Sequence, residues 1–190
     1  AHPQPIADGP DLVARALGGD AEAVGALYDS HYLVVYRYVR SRVREPERAE
    51  DLTGEVFRRM LTGLPGYRDA GLPFRAWLLR IAHNAVVDDY RQASRRPVVA
   101  LRDDIPLDGP GDDPAERVER ALTAEAAYQA LAELSTDQRD VLALRFLGGL
   151  SLRDVADTLG RSEDSVKALQ RRGVASLRVA MLVDEGGATP

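Results

Sequence analysis

Apolar residues recur at helical spacing through almost all of the 190-residue chain, and this pattern limits the possible folds more than any other feature. The period-two alternation that is typical of strands does not persist beyond a few residues. The apolar content of 45% is enough to build a folded core without disulfides or metals. The sequence therefore predicts an all-α globular protein.

Three long helices are predicted in the first half of the chain. Asp20 can cap the first helix, which should end before Glu45-Pro46 because a proline disfavours helix in the residue before it. The second covers about 47–61, and the third runs from Phe74 to about Ser94. Between them, "GLPGYRDAGLP" contains two glycine-proline breaks and predicts a loop. The predicted apolar face of the second helix consists of Ala49, Leu52, Val56 and Met60.

An acidic stretch separates this half from the second one. After Pro97, "LRDDIPLDGPGDDPAE" has the composition of a flexible linker, and Leu101–Arg120 contains seven acidic and three basic residues. The predicted organisation is therefore two small helical domains, 11–97 and 121–182, joined by an acidic flexible linker at 98–120.

The second half shows clear starts and stops of shorter helices. Ser135 and Ser151 each precede a Gln or Asp by three residues, which is the pattern of a capping box. Gly148-Gly149 and Gly160 fall where turns are needed. The net charge of −5 also hides two basic patches, because 80–96 has four Arg against two Asp and 161–178 has five basic residues against two acidic ones. This distribution is compatible with a nucleic-acid partner.

The stretch "LSLRDVADTLGRSEDSVKALQRRGVASL" has the layout of a helix-turn-helix motif, with a turn at Gly160 and a second helix starting at Ser162. Helical geometry places Val166, Leu169, Gly173 and Leu177 on one face of that second helix. It places Asp164, Ala168 and Arg171 on the opposite face, beside Lys167 and Arg172. The alternative is a helical hairpin with a solvated charged face, although the coincidence of short helix, turn glycine and basic second helix favours DNA binding.

Two acids begin this basic helix, and they allow two interpretations. In the first turn, Glu163 and Asp164 each interact favourably with the helix dipole, by about 0.3 to 1 kcal/mol. Asp164 also lies on the groove-facing side, where its carboxylate can accept a hydrogen bond from a cytosine amino group. We therefore expect Asp164 to select bases, while Lys167, Arg171 and Arg172 supply attraction to phosphates.

The helix "FRAWLLRIAHNAVVDDYRQASRR" combines aromatic, amide and arginine side chains. Aromatic rings stack on unpaired bases, an amide such as Asn84 can read a base edge, and arginines hold phosphates. The alternative for Phe74 and Trp77 is a role as core anchors, and Trp77 should be at least partly buried in either case.

Together with "AEDLTGEVFRRM" and "LSTDQRDVLALRFLGGLSLRDVADTLGRSEDSVKALQRR", this helix resembles regions 2 and 4 of bacterial RNA polymerase sigma factors of the extracytoplasmic-function group. The resemblance covers about 11–181 in the right order. It implies a protein that binds core RNA polymerase, recognises the −35 and −10 promoter elements and assists melting. The implied partners are the clamp of the large polymerase subunit, the flap of the other large subunit, promoter DNA and an anti-sigma factor.

The resemblance also assigns residues to these roles. The polymerase-binding residues would be Asp51, Glu55, Phe57 and Arg58. The −10 residues would be Tyr67, Asp69, Arg75, Trp77, Arg80, Asn84, Arg91, Arg95 and Arg96. The −35 residues would be Ser162, Glu163, Asp164, Ser165, Lys167, Ala168, Arg171 and Arg172. Gly54 stands where the family usually has glutamine. Trp77-Leu78 stands where primary sigma factors have two tryptophans, and with one tryptophan instead of two, promoter melting should depend more on a good −10 sequence.

Other functional classes lack the residues that they need. The chain has no cysteine, its three histidines have no metal-like spacing, and no phosphate loop, nucleophile elbow or zincin pattern occurs. We therefore expect no enzymatic activity, no cofactor and no metal. No apolar run reaches the roughly 20 residues of a membrane span, so no membrane insertion and a cytoplasmic location are expected. The alternatives are a stand-alone helix-turn-helix transcriptional regulator, which leaves "DLTGEVF" and "FRAWLLRIAHN" unexplained, and an anti-sigma or scaffold protein.

Overall fold

The computed structural model describes residues 10–68, 71–93 and 124–186, and every regular element within them is helical, as predicted. The first part contains α1 (Pro10–Leu17), α2 (Ala21–Arg40), α3 (Pro46–Gly63), a 3-10 turn (Leu64–Gly66) and α4 (Phe74–Ala93). The second part contains α5 (124–132), α6 (Thr136–Leu142), a π-helical turn (Ala143–Leu147), α7 (Leu152–Leu159) and α8 (Glu163–Gly186). The predicted linker lies outside the described residues.

Helices α2, α3 and α4 form a bundle whose ends follow from local signals. The Asp20 carboxylate accepts hydrogen bonds from the backbone N–H groups of Glu22 and Ala23, at 3.0 and 3.2 Å, and so caps α2. Pro46 occupies the first turn of α3, where no backbone N–H is needed. The buried side chains of α3 include the four residues predicted for its apolar face: Ala49, Leu52, Val56 and Met60.

Helix α1 was not predicted from the sequence. It packs against α2, and the chain reverses between the two helices at Gly19, whose φ of 86° is readily adopted only by glycine. An ion pair of 2.6 Å between Arg15 and Asp20 also joins α1 to the start of α2.

The second part begins its helices at the predicted capping boxes. Ser135 and Gln138 bond each other's backbone N–H groups at the start of α6, and Ser151 and Asp154 do so at the start of α7. Gly160 ends α7 with a φ of 62°, which confirms the predicted turn. Helix α8 continues to Gly186, beyond residue 182, where the second domain was predicted to end.

The two helical units pack against each other and share one hydrophobic core. Val35 and Leu79 from the first unit belong to the same buried cluster as Leu144 and Leu150 from the second. The contact is close at Gly148, where an added Cβ would lie 2.8 Å from the Cδ1 of Leu79. The two units are therefore packed directly against each other, an arrangement that we call closed.

Candidate nucleic-acid interface

An open pocket lies between α3 and α4 and has a volume of about 360 Å³. This volume is at the small end of the range of ligand pockets, roughly 300 to 1,000 Å³. It is lined by Arg59, Gly63, Gly66, Trp77, Ile81 and Asn84. Two of these, Trp77 and Asn84, are residues predicted to bind the −10 element, and the structure brings them to the same pocket.

Trp77 forms one wall of the pocket and rests on an aromatic cluster. Its ring centroid lies 5.1 Å from that of Tyr67 and 5.4 Å from that of Phe74. A Cβ added at Gly63 would lie 3.3 Å from the Trp77 indole. The glycine therefore leaves the space that the indole ring occupies. Trp77 is half-buried, as expected, and keeps part of its ring accessible.

Tyr67, predicted as a −10 residue, has a different position. Its side chain is only 4% exposed, and its hydroxyl donates a hydrogen bond to the backbone oxygen of Leu72 at 3.1 Å. The ring thus packs against Trp77, and the hydroxyl joins Tyr67 to Leu72 within the predicted loop.

Arg59 is a pocket residue that the sequence analysis missed. Its Nε donates to Glu55 at 2.7 Å on α3, and its Nη1 donates to Asp88 at 3.1 Å on α4. Burial disfavours the charge, but the hydrogen bond to Glu55 outweighs it and the pKa of Arg59 is raised. The i,i+4 spacing of Glu55, Arg59 and Gly63 on one face of α3 was the available signal.

The predicted −10 arginines fall into separate groups. Arg80 and Arg91 are exposed and, at 100° per residue, lie within about 60° of Trp77 around α4. Arg75 lies about 160° from Trp77, on the opposite side, and its Nη1 would be 3.0 Å from a Cβ added at Gly149. The remaining predicted residues, Asp69, Arg95 and Arg96, lie outside the described residues.

The predicted −35 face lies at the start of α8. The hydroxyl of Ser162 accepts a hydrogen bond from the backbone N–H of Ser165 at 3.2 Å and so caps the helix. The Asp164 side chain is 95% exposed, and the Nζ of Lys167 lies 3.4 Å from its Oδ1. Of the remaining predicted residues, Glu163, Arg171 and Arg172 are exposed, and Ser165 and Ala168 are half-buried.

The opposite face of α8 is packed, which fixes the orientation of the exposed one. Val166 and Leu169 are buried, and an added Cβ at Gly173 would lie 3.1 Å from Leu142 of α6. Leu177 packs against the smaller cluster of Leu131, Leu134 and Leu142. This arrangement confirms the two faces that helical geometry assigns to α8.

The predicted polymerase-binding residues lie on α3. Asp51, Glu55 and Arg58 fall within about 60° around the helix, and Asp51 has 74% of its side chain exposed. Phe57 points elsewhere and is 4% exposed, with its ring centroid 4.6 Å from that of the exposed Tyr28. Phe57 therefore lies beneath an aromatic surface formed with α2 and does not itself reach that surface.

Neither a metal site nor a membrane helix occurs in the part of the chain that the structure describes. No group of three or more His, Asp or Glu side chains there is arranged to hold a metal ion. Among those same residues, no helix combines the length and the apolar character that crossing a membrane requires.

Both halves of the chain match known families. Residues 27–96 match sigma-70 region 2, and residues 130–179 match sigma-70 region 4. The first match covers α2 to α4 with the pocket, and the second covers α6 to α8 with the helix-turn-helix. A stand-alone regulator does not account for the first match.

Relatives that match most of this chain are sigma factors. The ECF RNA polymerase sigma factor BldN of Streptomyces coelicolor is 36% identical over 181 residues, which are 93% of this chain and 69% of the relative. ShbA of Streptomyces griseus, also named an ECF RNA polymerase sigma factor, is 38% identical over 175 residues, 88% of this chain and 92% of the relative. The structure is similar to that of CnrH in complex with the cytosolic domain of CnrY, with a TM-score of 0.68, 28% identity and coverage of 92% and 97% of the two chains.

BldN and ShbA match most of the chain at 36% and 38% identity, and both family matches agree with the two-part helical fold. Sigma factors are transcription initiation factors without enzymatic activity, and they bind core RNA polymerase and promoter DNA. The chain therefore belongs to the sigma-70 family as an extracytoplasmic-function sigma factor, which directs RNA polymerase to promoters.

Proposed function

We propose that this sigma factor reads its promoters at two surfaces: the pocket between α3 and α4 captures an unpaired base of the −10 element, and the exposed face of α8 reads the −35 element. The observation that carries the proposal is the meeting of Trp77 and Asn84 in one open pocket. An accessible aromatic face can stack on a base, and an amide can pair with its edge.

The pocket has the chemistry that an unpaired base requires. Arg59 is fixed by Glu55 and Asp88, so its guanidinium offers a positioned positive charge at the rim. Arg80 and Arg91 lie on the same side of α4 and would follow the phosphates of the displaced strand, together with Arg95 and Arg96 beyond the described helix. Asp69 would contribute from the loop, in which the buried Tyr67 bonds to the backbone of Leu72.

The α8 face has the geometry of a recognition helix. The exposed residues of its first turns are those that reach base edges when such a helix enters the major groove. Ser162, Glu163 and Ser165 would lie near the phosphates at the helix start, while Asp164 and Ala168 would face the bases. Lys167, Arg171 and Arg172 would neutralise phosphates, so binding should weaken as salt increases.

The acidic face of α3 is the proposed docking surface for the clamp of the large polymerase subunit. Asp51 and Glu55 would meet basic partner groups, and Arg58 would meet an acidic one. Phe57 would act indirectly, by supporting Tyr28. We propose that the second domain binds the flap of the other large polymerase subunit and that the acidic linker lies in the RNA exit path. The proposed site of action is the cytoplasm.

An anti-sigma factor is the proposed inhibitory partner. CnrH, a similar protein of known structure, is in complex with the cytosolic domain of CnrY. We propose that this chain also has a protein partner, and that the partner covers its DNA-reading faces. Because the chain has no cysteine, any redox signal would have to be sensed by that partner.

The test is run-off transcription with core polymerase, with start sites mapped on genomic promoters and templates compared in fully paired and pre-melted −10 forms. Asn84→Ala should lower activity about 5-fold or more on paired templates, because a base contact supplies about 1 to 3 kcal/mol of discrimination. The matched control is Gln92→Ala, which removes an exposed amide from the same helix outside the pocket. Equal activities of the two variants on every template would refute the pocket assignment.

A further inference from the structure

We propose that a buried polar cluster between the two domains, formed by Tyr38, Arg42, His83 and Asp140, is a latch that holds the free sigma factor closed and must open before both DNA-reading faces reach one promoter. The part that concerns the promoter rests on the proposed function. The closed conformation itself can be tested without polymerase or DNA.

Asp140 of α6 is the centre of the latch, and three residues of the first domain surround it. Its Oδ1 lies 2.9 Å from the Nη1 of Arg42 and 3.4 Å from the Tyr38 hydroxyl, which donates to it. The Nδ1 of His83 lies 3.7 Å from the same oxygen and 3.0 Å from the Tyr38 hydroxyl. Only 8% of the Asp140 side chain and 3% of the Arg42 side chain are exposed.

Arg42 is held in place to reach across the boundary. It follows α2 directly, and the hydroxyl of Tyr90 on α4 donates to its backbone oxygen. Its guanidinium donates to the backbone oxygen of Thr136 at 3.2 Å, as well as pairing with Asp140. Both charges of this buried pair therefore have their partner in the other domain.

A second contact lies beside the latch at the end of α2. Arg40 pairs with Glu125 of α5 at 2.5 Å, and its guanidinium lies over the ring of Tyr128 at 5.0 Å. The apolar contact of Leu79 with Gly148 lies at the same boundary. Helices α5 and α6 and the π-helical turn thus all hold the second domain against α2 and α4.

A reversible latch suits this composition. A buried ion pair pays a large desolvation cost, so its net contribution is close to neutral compared with apolar packing. On opening, water solvates both Arg42 and Asp140, which recovers that cost. Breaking one partner while the boundary stays closed would leave an unpaired buried charge, so the pair favours closure only while it is complete.

Closure also withdraws a residue that we assign to DNA. Arg75 points from α4 toward Gly149, away from the pocket that contains Trp77. Its Nε is buried and has no hydrogen-bond partner among the described residues. Opening would return this guanidinium to solvent, where it can contact phosphate.

Dimensions require the opening. A compact chain of 190 residues has a radius of gyration of about 16 Å, so it is roughly 40 Å across. The −35 and −10 positions lie about 25 base pairs apart, which is about 85 Å of duplex at roughly 3.4 Å per base pair. The closed arrangement cannot span that distance.

The experiment measures opening by fluorescence energy transfer in the full-length chain. Ala26→Cys in α2 and Ala175→Cys in α8 replace exposed alanines, and the natural absence of cysteine makes the labelling specific. Asp140→Asn keeps the shape of the side chain and removes its charge. The matched control is Asp137→Asn, because Asp137 lies on the same helix but pairs with Arg161 of its own domain at 2.8 Å.

We expect Asp140→Asn to lower the transfer efficiency and raise the radius of gyration in X-ray scattering, while Asp137→Asn changes neither. Tyr38→Phe should give an intermediate decrease, since it removes one hydroxyl and keeps the ring. Helical content by circular dichroism must stay at the wild-type level, which separates opening from unfolding. Wild-type transfer efficiency in both Asp140→Asn and Tyr38→Phe would overturn the latch.

Binding of core polymerase separates the latch from the proposed function. If binding requires the open form, Asp140→Asn should lower the apparent Kd by the factor by which it raises the open population. A chain that opens but shows no promoter-specific transcription would contradict the proposed function and leave the latch intact. Transcription with unchanged transfer efficiency in the variants would contradict the latch alone.

Discussion

The carboxylate of Glu55 accepts two hydrogen bonds from the guanidinium of Arg58, each of 2.7 Å, along the exposed face of α3. Arg59 donates a third, also of 2.7 Å. These hydrogen bonds lower the pKa of Glu55 to about 2, with Arg58 the larger cause and Arg59 the next. Two residues assigned to polymerase binding therefore already satisfy each other in the free protein, whereas Asp51 is 74% exposed and lies 3.8 Å from its nearest cation, Arg48.

From this arrangement we predict that Asp51→Ala weakens the binding of core polymerase more than Glu55→Ala does. Glu55 must give up its arginine partners to bind a new one, whereas Asp51 gives up almost nothing. Fluorescence anisotropy with labelled sigma factor measures both affinities, with the exposed Glu47→Ala on the same helix as the control. Because the depressed pKa keeps Glu55 ionised down to about pH 2, its contribution should be constant between pH 5 and 8. A larger loss for Glu55→Ala would contradict the ranking.

Gly54 interrupts the exposed face of α3 without a packing reason. An added Cβ at this position meets nothing within 4 Å, and the same is true of Gly25 in α2. Gly54→Ala and Gly25→Ala should each stabilise the protein by up to about 1 kcal/mol, because alanine has the higher helix propensity. Urea denaturation measures the gain. Gly63→Ala is the contrasting variant, since its Cβ would press on Trp77 at 3.3 Å and should give no comparable gain.

The ends of the helices were predictable because they depend on a few neighbouring residues. The predicted helix caps are present at Asp20, Ser135 and Ser151. A cap is predictable because its side chain bonds backbone N–H groups only two or three positions further along the chain. The same local reasoning found the packed and exposed faces of α8. Helix α1 was missed because its eight residues carry too short a pattern to stand out from a loop.

The contacts between distant residues were beyond local reasoning. Arg42 and Asp140 are far apart in sequence, and nothing near either residue indicates the ion pair that joins them. The Arg75 side chain points toward Gly149 of the second domain, whereas Arg80 is exposed. The sequence alone could not distinguish these two arginines, because the difference depends on where the second domain packs. Phe57 was assigned to a surface because its motif matches a docking helix, whereas its burial depends on Tyr28 and Tyr32 of α2.

For the α8 face, we predict that Asp164→Ala relaxes the preference for the −35 sequence. The side chain is 95% exposed on the side opposite the buried Val166, and its 3.4 Å contact with Lys167 is longer than an ordinary hydrogen bond, so the carboxylate can meet a cytosine amino group and repel mismatched acceptors. Competition binding of holoenzyme to promoters with single −35 substitutions measures the preference. Glu163→Ala is the matched control, because it removes an acid from the same first turn and loses the same interaction with the helix dipole. If both variants lost stability equally and kept the wild-type preference for the −35 sequence, the role of Asp164 would be limited to its interaction with the helix dipole.

The last prediction concerns pH and the closed arrangement. Burial lowers the pKa of His83, an effect that the nearby Asp140 opposes and Arg42 reinforces, and the Tyr38 hydroxyl also contacts the ring. In the open form the imidazole would return toward its ordinary pKa of about 6.5. Because the pKa of His83 is lower in the closed form, neutral His83 is compatible with closure above about pH 6.5. As the pH falls below that value, protonation of His83 favours the open form.

Transfer efficiency in the doubly labelled chain should therefore decrease between pH 7.5 and 5.5, and His83→Gln should remove that decrease. Burial raises the pKa of Asp140 while Arg42 and His83 oppose the rise, so the comparison has to keep this carboxyl unchanged. The comparison with His83→Gln isolates the histidine because the variant retains Asp140 and its ion pair with Arg42. An identical pH profile for the wild type and the variant would show that His83 does not couple protonation to opening.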